Sequence, residues 1–277
     1  MGPWHNKTMG ENMSTTGKLA GKIAVVTGAG SSGPGMGTGK AMAVLFAREG
    51  AKVVLVDMFE DRARETLDMI VSEGGEAAIV QADLSDIPSI EKVMAECIGK
   101  FGGVDILINN AALTSPYGML DTTTEQLEKC IAVNLTAPFL LCKAAIPTMI
   151  ERGGGSIINI TSIASLRGQG GKGCPAYAAS KAGMNGLMID VADSFGKQGI
   201  RINCVAPGII DTPMRDATMA VGGHTKESLN LGRKTALGIE GDAWDIARAA
   251  LFLAGPDGRY ITGVHLPVDG GVISTSH

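Results

Sequence analysis

Short runs of apolar, mostly β-branched residues alternate along the chain with longer stretches whose apolar positions recur at helical spacing. The run KIAVV (22–26), for example, precedes a glycine-rich turn and the amphipathic segment KAMAVLFAREG (40–50). Runs that are apolar at every position are typical of strands covered on both faces of a parallel sheet. The pattern predicts strands at 22–26, 52–56, 77–81, 104–109, 156–160, 200–205 and 264–268.

Helical patterns lie between these strands, at residues 40–50, 60–73, 87–102, 135–150 and 177–195. Alternating strands and helices predict a doubly wound α/β fold of Rossmann type, a mostly parallel sheet with helices on both faces. No internal repeat or long linker interrupts residues 18–277, so we expect a single domain there. Residues 1–17 are polar and aperiodic, and we expect them to form a disordered tail.

Composition narrows the functional class. The 277 residues carry a net charge of −4 and no stripe of Lys or Arg, which argues against nucleic acid and anionic membranes as partners. No apolar run reaches the roughly 18–20 residues that span a bilayer, and the N-terminus lacks the apolar core of a signal peptide. We therefore expect a cytoplasmic protein that does not associate with membranes.

The side chains that bind metals are dispersed along the chain. Five cysteines, at positions 97, 130, 142, 174 and 204, form no CxxC pair, and the four histidines offer no i,i+4 pair. We expect free thiols and no metal site.

A glycine-rich turn, TGAGSSGPGMGTGK (27–40), follows the first strand. Such a turn lets the backbone approach the pyrophosphate of a dinucleotide at a helix N-terminus, although a bare turn or helix cap gives a similar pattern. Gly28, Gly30 and Gly33 spell GxGxxG, but a helix beginning there would carry three more glycines, each costing up to ~1 kcal/mol relative to alanine. We therefore favour a longer turn, with the helix beginning at residues 37–39.

The second strand ends in Asp57, 18 residues after Gly39. A carboxylate at about this spacing binds the adenosine ribose hydroxyls and repels a 2′-phosphate, whereas an acid that only closes the strand-end turn is the alternative interpretation. Because Met36, Thr38 and Met58 are uncharged and no Arg lies in the turn, the sequence favours NAD over NADP.

YAASK (177–181) opens an amphipathic helix, so Tyr177 and Lys181 lie one turn apart on the same face. A phenol with the usual pKa of about 10 is a poor base at neutral pH, and lowering that pKa by three units takes roughly 4 kcal/mol. An ammonium about 6 Å away supplies roughly 2–3 kcal/mol at an effective dielectric near 20. Tyr177 is therefore a candidate general acid/base, and an ordinary amphipathic helix with a solvated lysine is the alternative.

These motifs together resemble the short-chain dehydrogenase/reductase family from about Lys18 to Gly271. An ordered series of matches is far more specific than any one motif. In the family's order, the matching segments are VTG with its glycine-rich turn, ADLSD (82–86), VDILINNAA (104–112), VNLTAPF (133–139), IINITS (157–162), YAASK, APGIIDT (206–212) and ITGVHLPVDGG (261–271).

The resemblance implies catalytic roles for further residues. Ser162 matches the serine that hydrogen-bonds the reacting oxygen, and its alternative is a serine that caps a turn. Asn134 matches the asparagine that distorts a helix and holds water in a proton path through Lys181 and the ribose, and its alternative is a locally satisfied buried amide. The predicted catalytic residues are thus Asn134, Ser162, Tyr177 and Lys181.

The resemblance also extends the predicted cofactor site. Asp83 and the backbone of Leu84 match adenine contacts, although loop capping is an alternative for Asp83. Asn110 and Ala111 match residues that flank the adenosine ribose. Ile210 and Thr212 match contacts to the nicotinamide carboxamide, and loop capping is again the alternative for Thr212. The predicted cofactor-binding residues are thus Gly28, Gly37, Thr38, Gly39, Asp57, Asp83, Leu84, Asn110, Ala111, Tyr177, Lys181, Ile210 and Thr212.

Three features depart from the family's pattern. Gly28 and Gly37 lie five residues further apart than usual, so the sequence does not assign which atoms of the turn contact phosphate. Ala112 stands where the family has glycine. Ser162 precedes the catalytic tyrosine by fifteen residues, about two more than expected, and the excess falls in the glycine-rich segment 168–173. We expect this excess to widen or mobilise one wall of the substrate pocket.

The predicted function is that of an NAD-dependent oxidoreductase that interconverts a secondary alcohol and its ketone. The alternatives are an NADP-dependent carbonyl reductase, a catalytically silent dinucleotide-sensing or scaffolding protein, and an epimerase or dehydratase on the same scaffold. Met214, Met219 and Leu229 in the predicted lid (213–232) indicate a largely hydrophobic alcohol, and we expect His224 in that lid to be solvent-exposed.

The helical segments 135–150 and 177–195 have more apolar faces than one sheet contact requires. In the family that the chain resembles, this surface forms a helix-to-helix dimer that is commonly doubled to a tetramer. We therefore expect a homotetramer.

Overall fold

The computed structural model describes residues 17–115, 117–168, 173–221 and 231–275, so the predicted tail lies outside the described residues except for Gly17. The strands are β1 (Ile23–Thr27), β2 (Lys52–Asp57), β3 (Ala77–Gln81), β4 (Ile106–Asn109), β5 (Gly155–Ile160), β6 (Ile200–Pro207), β7 (Ile210–Asp211), β8 (Gly241–Asp242) and β9 (His265–Val268). Seven of them form one parallel sheet in the order β3-β2-β1-β4-β5-β6-β9, and β7 and β8 pair separately.

Helices cover both faces of this sheet. They are α1 (Thr38–Arg48), α2 (Glu60–Ser72), α3 (Ile87–Phe101), α4 (Thr124–Ile131), α5 (Ala137–Glu151), α6 (Pro175–Phe195), α7 (Pro213–Val221) and α8 (Ala243–Ala254). A π-helical turn over Ala132–Thr136 joins α4 to α5. The predicted doubly wound architecture is therefore confirmed.

Alternate residues of the central strands face two apolar cores. In β1, Ala24 and Val26 belong to the core under α1 and α8, whereas Val25 belongs to the core under α3, α5 and α6. All three side chains are fully buried. Because successive side chains of a strand point to opposite faces, a strand that is apolar throughout is stable only when both faces are covered.

The strand order reverses beside β1, with β2 on one side and β4 on the other. In doubly wound sheets, ligands bind beyond the carboxyl ends of the strands at such a point. Since β1 ends at Thr27 and β4 ends at Asn109, the glycine-rich turn and the segment NNAA (109–112) meet there.

Each predicted strand and helix is present, with ends that differ by no more than about two residues. The helices and strands that the pattern did not predict are α4, α7, α8 and the two-residue strands β7 and β8. In α4 the buried positions are limited to Cys130, so this helix lacks the apolar stripe by which a surface helix is identified.

The helix that runs through α4, the π-helical turn and α5, Thr124–Glu151, is long and apolar enough to cross a membrane by length and composition. The sequence analysis expected no apolar stretch long enough to span a bilayer, and this helix shows that expectation to be wrong. However, 44% of the most apolar window is buried, and α5 packs on α3, β4 and β5.

Candidate active site

A cavity of about 1440 Å³ lies beyond the carboxyl ends of β1 and β4. Its wall is formed by the glycine-rich turn, the ends of β2 and β5 and the first turns of α6. All of the predicted cofactor-binding residues line it: Gly28, Gly37, Thr38, Gly39, Asp57, Asp83, Leu84, Asn110, Ala111, Tyr177, Lys181, Ile210 and Thr212. Ser162 lines it as well, whereas Asn134 is absent from the described part of the wall.

The glycine-rich turn folds back onto the helix that follows it. α1 begins at Thr38, with Gly37 extended before it (φ −79°, ψ 157°), so the longer of the two registers is confirmed. A Cβ on Gly39 would lie 1.9 Å from the carbonyl oxygen of Gly28, which itself has a φ of +62°. No side chain fits at Gly39, because the turn and the helix are in direct backbone contact there.

The first turn of α1 suits an anion. Its leading N–H groups have no partners within the helix, and Gly37 has no side chain with which to cap them. Thr38 and Gly39, which belong to this turn, line the cavity. Together with the helix dipole, these N–H groups form the kind of site that binds the pyrophosphate of a dinucleotide.

Asn110 holds the turn in place. Its side-chain Nδ2 donates to the carbonyl oxygens of Thr27 (2.9 Å) and Gly28 (3.1 Å), and its Oδ1 accepts from the Thr38 hydroxyl (2.8 Å). The Asn110 side chain thus joins the ends of β1 and β4 to the start of α1. This bracing role was not among the expectations for Asn110.

Two carboxylates lie at the end of the cavity next to β2 and β3. Asp57 Oδ2 accepts from the Gly30 N–H (2.9 Å) and Oδ1 from the Phe59 N–H (3.1 Å), which fixes the carboxylate at the strand end. Asp83 Oδ1 accepts from the backbone N–H and the hydroxyl of Ser85, both at 2.8 Å. Both acids therefore cap local turns, and both also line the cavity.

Arg62 lines the same end of the cavity, and the sequence analysis missed it. Its guanidinium lies 4.1 Å from the centre of the Phe59 ring. Arg62 comes five residues after Asp57, in the first turn of α2, and not in the glycine-rich turn where the cofactor argument looked for a cation. The sequence held a signal for Arg62. A helix that begins directly after β2 has its first turn at the carboxyl edge of the sheet, where the cavity lies.

The reacting groups converge from β5 and α6. β5 ends at Ile160, and Ser162 follows it with its Oγ accepting from the Ala164 N–H (3.1 Å). Pro175 begins α6, so Tyr177 and Lys181 occupy its first turns. The Lys181 Nζ lies 5.8 Å from the centre of the Tyr177 ring and donates to the Ile160 carbonyl (2.7 Å).

Burial governs the titration of both groups. It raises the pKa of Tyr177 to about 12, and the hydrogen bond with Ser162 that lowers this pKa is the weaker influence. Burial also lowers the pKa of Lys181 to about 8. In the protein without coenzyme, burial therefore outweighs the hydrogen bond that lowers the phenol pKa, because desolvation disfavours the charged phenolate.

Asn134 lies behind the wall in the π-helical turn, fully buried. The helix distortion that the resemblance implied at this residue is present. Its Oδ1 accepts from the Leu113 N–H (2.8 Å), and its Nδ2 donates to the Leu113 carbonyl (2.9 Å). The side chain thus fastens the segment after β4 to the helix instead of facing the cavity.

The lid predicted over 213–232 is described in part, as α7. Met214 and Arg215 line the cavity, whereas Met219, His224 and Leu229 lie outside the residues whose side chains the structure describes. The Arg215 guanidinium binds Asp211 (2.7 Å), Asp216 (3.2 Å) and Glu240. These ion pairs tie α7 to the residue that precedes β8. Within the glycine-rich segment 168–173, residues 169–172 likewise lie outside the residues that the structure describes.

No group of three His, Cys, Asp or Glu side chains is placed to hold a metal ion within the described parts of the chain. The five cysteines are free thiols, and Cys174 lines the cavity three residues before Tyr177.

Comparison with known proteins adds an independent line of evidence. A family model described as enoyl-(acyl carrier protein) reductase matches residues 33–273. The chain is 38% identical over 254 residues to the 2,5-dichloro-2,5-cyclohexadiene-1,4-diol dehydrogenase LinX of Sphingobium indicum, covering 92% of this chain and 97% of that protein.

Two solved structures are similar over nearly their whole length. One is described as an NAD(P)-dependent gluconate 5-dehydrogenase from Beutenbergia cavernae with NADP bound at low occupancy (TM-score 0.83, 33% identity, 93% of this chain and 98% of that one). The other is carveol dehydrogenase from Mycobacterium avium in complex with NAD (TM-score 0.86, 28% identity, 94% and 100%). The chain therefore belongs to the short-chain dehydrogenase/reductase family and is an NAD(P)-dependent oxidoreductase.

Proposed function

We propose that this enzyme interconverts a secondary alcohol and its ketone, with NAD as coenzyme and Tyr177 as general acid/base. The observation that carries the proposal is that Tyr177, Lys181 and Ser162 line the same cavity as the glycine-rich turn. Nicotinamide, when bound, supplies the acceptor or donor of the hydride. The protein's own task is to hold the alcohol and to move the hydroxyl proton.

The side chains divide that task. The Ser162 Oγ accepts a backbone N–H and lies within hydrogen-bond reach of the Tyr177 phenol, so its hydroxyl can donate to a substrate oxygen bound beside that phenol. Tyr177 takes the alcohol proton during oxidation and returns it during reduction. Lys181 is an ammonium below pH 8, and its charge opposes the burial that holds the Tyr177 pKa near 12. The Tyr177 pKa must fall when coenzyme binds for the phenolate to act near neutral pH.

Asp57 supports the choice of NAD. It is fixed by two backbone N–H groups at the end of β2, where a carboxylate binds ribose hydroxyls and repels a 2′-phosphate. Arg62 favours the second candidate, NADP, because a guanidinium at the same end of the cavity attracts that phosphate. Of the relatives described above, one structure holds NADP and the other NAD.

The coenzyme proposal is tested by comparing kcat/KM for NAD⁺ and NADP⁺. We expect wild type to prefer NAD⁺, and Asp57→Ala to shift the ratio toward NADP⁺ by at least about tenfold, which corresponds to ~1.4 kcal/mol. Arg62→Gln should shift the ratio the opposite way. The control is Asp61→Ala. Asp61 is an exposed acid next to Arg62 in α2, and it is not among the residues described as lining the cavity. An unchanged ratio in Asp57→Ala contradicts the assignment.

For the substrate, we propose a largely hydrophobic secondary alcohol. Met214 and Leu113 line the cavity near the lid, together with Val272 and Ile209. Two relatives are named as a cyclohexadiene-diol dehydrogenase and carveol dehydrogenase, and a third is described as a gluconate dehydrogenase. The proposal also includes a cytoplasmic homotetramer with no nucleic-acid or membrane partner.

The activity is tested with a panel of cyclic, aromatic, steroid-like and open-chain alcohols, each with NAD⁺ and NADP⁺. Alcohol-dependent formation of NADH, with release of the ketone, is the expected result. Tight NADH binding without turnover of any alcohol or ketone would favour a sensing or scaffolding protein. A changed product with no net change in NADH would favour an epimerase or dehydratase.

A further inference from the structure

A buried series of hydrogen bonds joins the π-helical turn to the turn of α6 that carries Tyr177 and Lys181. Asn134 Nδ2 donates to Ser180 Oγ (2.9 Å), and Ser180 Oγ donates to the backbone carbonyl of Tyr177 (2.8 Å). Asn134 and Ser180 are both completely buried. Consecutive hydrogen bonds away from water polarise one another and fix the groups they connect.

The Asn134 side chain bonds to two segments of the protein through these contacts. An amide has two N–H hydrogens, and they go to Ser180 Oγ and the Leu113 carbonyl. Its oxygen accepts the Leu113 N–H. Of the two residues that the Asn134 side chain binds here, Leu113 and Ser180, Ser180 belongs to α6.

Cys130 closes the other side of this cluster. Its Sγ lies 3.3 Å from Asn134 Nδ2, 3.5 Å from the Leu113 carbonyl oxygen and 3.7 Å from Ser180 Oγ. Burial raises the pKa of the thiol, so it is present as a neutral S–H that donates weakly to one of these oxygens.

The π-helical turn interrupts the helix against which α6 packs. The Ala137 N–H donates to the Ala132 carbonyl five residues back, so one extra residue interrupts the register between α4 and α5. Helix α6 packs against both α4 and this turn. The Asn134–Ser180 hydrogen bond is a buried polar contact between α6 and this turn.

We propose that Ser180 is a positioning residue for the reaction and that Cys130 supports it. Ser180 sets the first turns of α6 against Asn134, and it thereby sets the placement of the Tyr177 phenol and the Lys181 ammonium relative to the bound alcohol. The inference rests on the proposed function of Tyr177, because it assigns to Ser180 no contact with substrate or coenzyme. Ser180 is absent from the described wall of the cavity.

The test compares Ser180→Ala with Ser156→Ala. Ser156 is a matched control, since it is 3% exposed and lies at the opposite end of β5 from the cavity, and its hydroxyl makes one long hydrogen bond in the described structure, to the Leu253 carbonyl (3.5 Å). We expect Ser180→Ala to keep the alcohol KM near wild type and to weaken NADH binding slightly, because Lys181 also lines the coenzyme site, while kcat falls roughly ten- to hundredfold, the scale of a small misplacement of reacting groups. The acid limb of its kcat profile should move to higher pH, because the displaced ammonium stabilises the phenolate less. Ser156→Ala should match wild type in all four readouts.

A second pair of variants covers the case in which Ser180→Ala does not fold. Cys130→Ser keeps a donor and an acceptor and should stay close to wild type, whereas Cys130→Ala should lower kcat more than it lowers NADH affinity. Wild-type kcat and pH profile in Ser180→Ala, or equal losses in Ser156→Ala, would overturn the inference. A wild-type protein that turns over no alcohol would instead overturn the proposed function itself.

Discussion

Lys181 is a charged residue held in the interior. Its side chain is 1% exposed, and its Nζ binds the Ile160 carbonyl, with no carboxylate partner among the residues that the structure describes. A buried ammonium without a counter-ion destabilises the folded protein. Such an arrangement is typical of functional sites, where a strained charge is retained because the chemistry requires it.

The cost of this charge gives a pH-dependent prediction. Because burial lowers the pKa of Lys181 from 10.5 to about 8, the folded protein carries the full penalty below pH 8. The penalty is relieved as the pH rises toward 10.5, where the unfolded chain still holds a proton that the folded protein has released. We expect Lys181→Met to be more stable than wild type by up to ~3 kcal/mol at neutral pH, with a gain that shrinks above pH 8.

Urea denaturation of both proteins at neutral and at alkaline pH measures this difference. A gain that stays the same across the alkaline range would mean that the charge is not its cause. Activity should be lost in Lys181→Met at every pH, which separates the stability effect from the catalytic one.

Among the elements, the turn between β1 and α1 depends most visibly on a single backbone contact. Gly39→Ala places a Cβ within 1.9 Å of the Gly28 carbonyl oxygen, so the turn must move away from the helix. We expect the melting temperature to fall and NADH affinity to drop at least about tenfold, since overpacking of this kind costs roughly 1–3 kcal/mol.

Gly99→Ala is the matched control for that substitution. Gly99 is exposed within α3, and a Cβ there meets nothing within 4 Å. Replacing it should stabilise the protein by roughly 0.5–1 kcal/mol, because alanine restricts the unfolded chain and favours the helix. Equal effects of the two substitutions would show that the turn tolerates a side chain.

The same turn illustrates what sequence reasoning can reach. Helix propensity alone chose the register that begins α1 at Thr38, because the effect is local. The bracing role of Asn110, the place of Arg62 in the cavity and the burial that raises the Tyr177 pKa all depend on segments distant in the chain. Ser180 was passed over for that reason, since only the packing of α6 on the π-helical turn brings it to Asn134.

At the scale of the whole molecule, the outer faces of α5 and α6 remain uncovered in the single chain. Phe139 is 52% exposed and Ile189 is 63% exposed. We expect these faces to meet those of a second copy, with two such dimers forming a homotetramer. Light scattering should give a mass four times that of the 28.5 kDa chain.

Ile189→Arg tests which face carries the assembly, because a guanidinium in the middle of an apolar interface has no partner there. This variant should dissociate, whereas Val71→Arg, at a residue 56% exposed on α2, should not. A monomeric wild type at micromolar concentration would refute the assembly.

The central claim is that the phenol of Tyr177 exchanges the proton while the coenzyme exchanges the hydride, and its most direct test is Tyr177→Phe. The variant and a control, Tyr260→Phe, are compared by NADH binding and by alcohol-dependent NADH formation, since Tyr260 is 94% exposed and does not line the cavity. We predict that both variants bind NADH like wild type, that Tyr260→Phe keeps wild-type turnover, and that Tyr177→Phe loses kcat/KM by roughly 10²–10⁴-fold. Turnover retained in Tyr177→Phe would contradict the account.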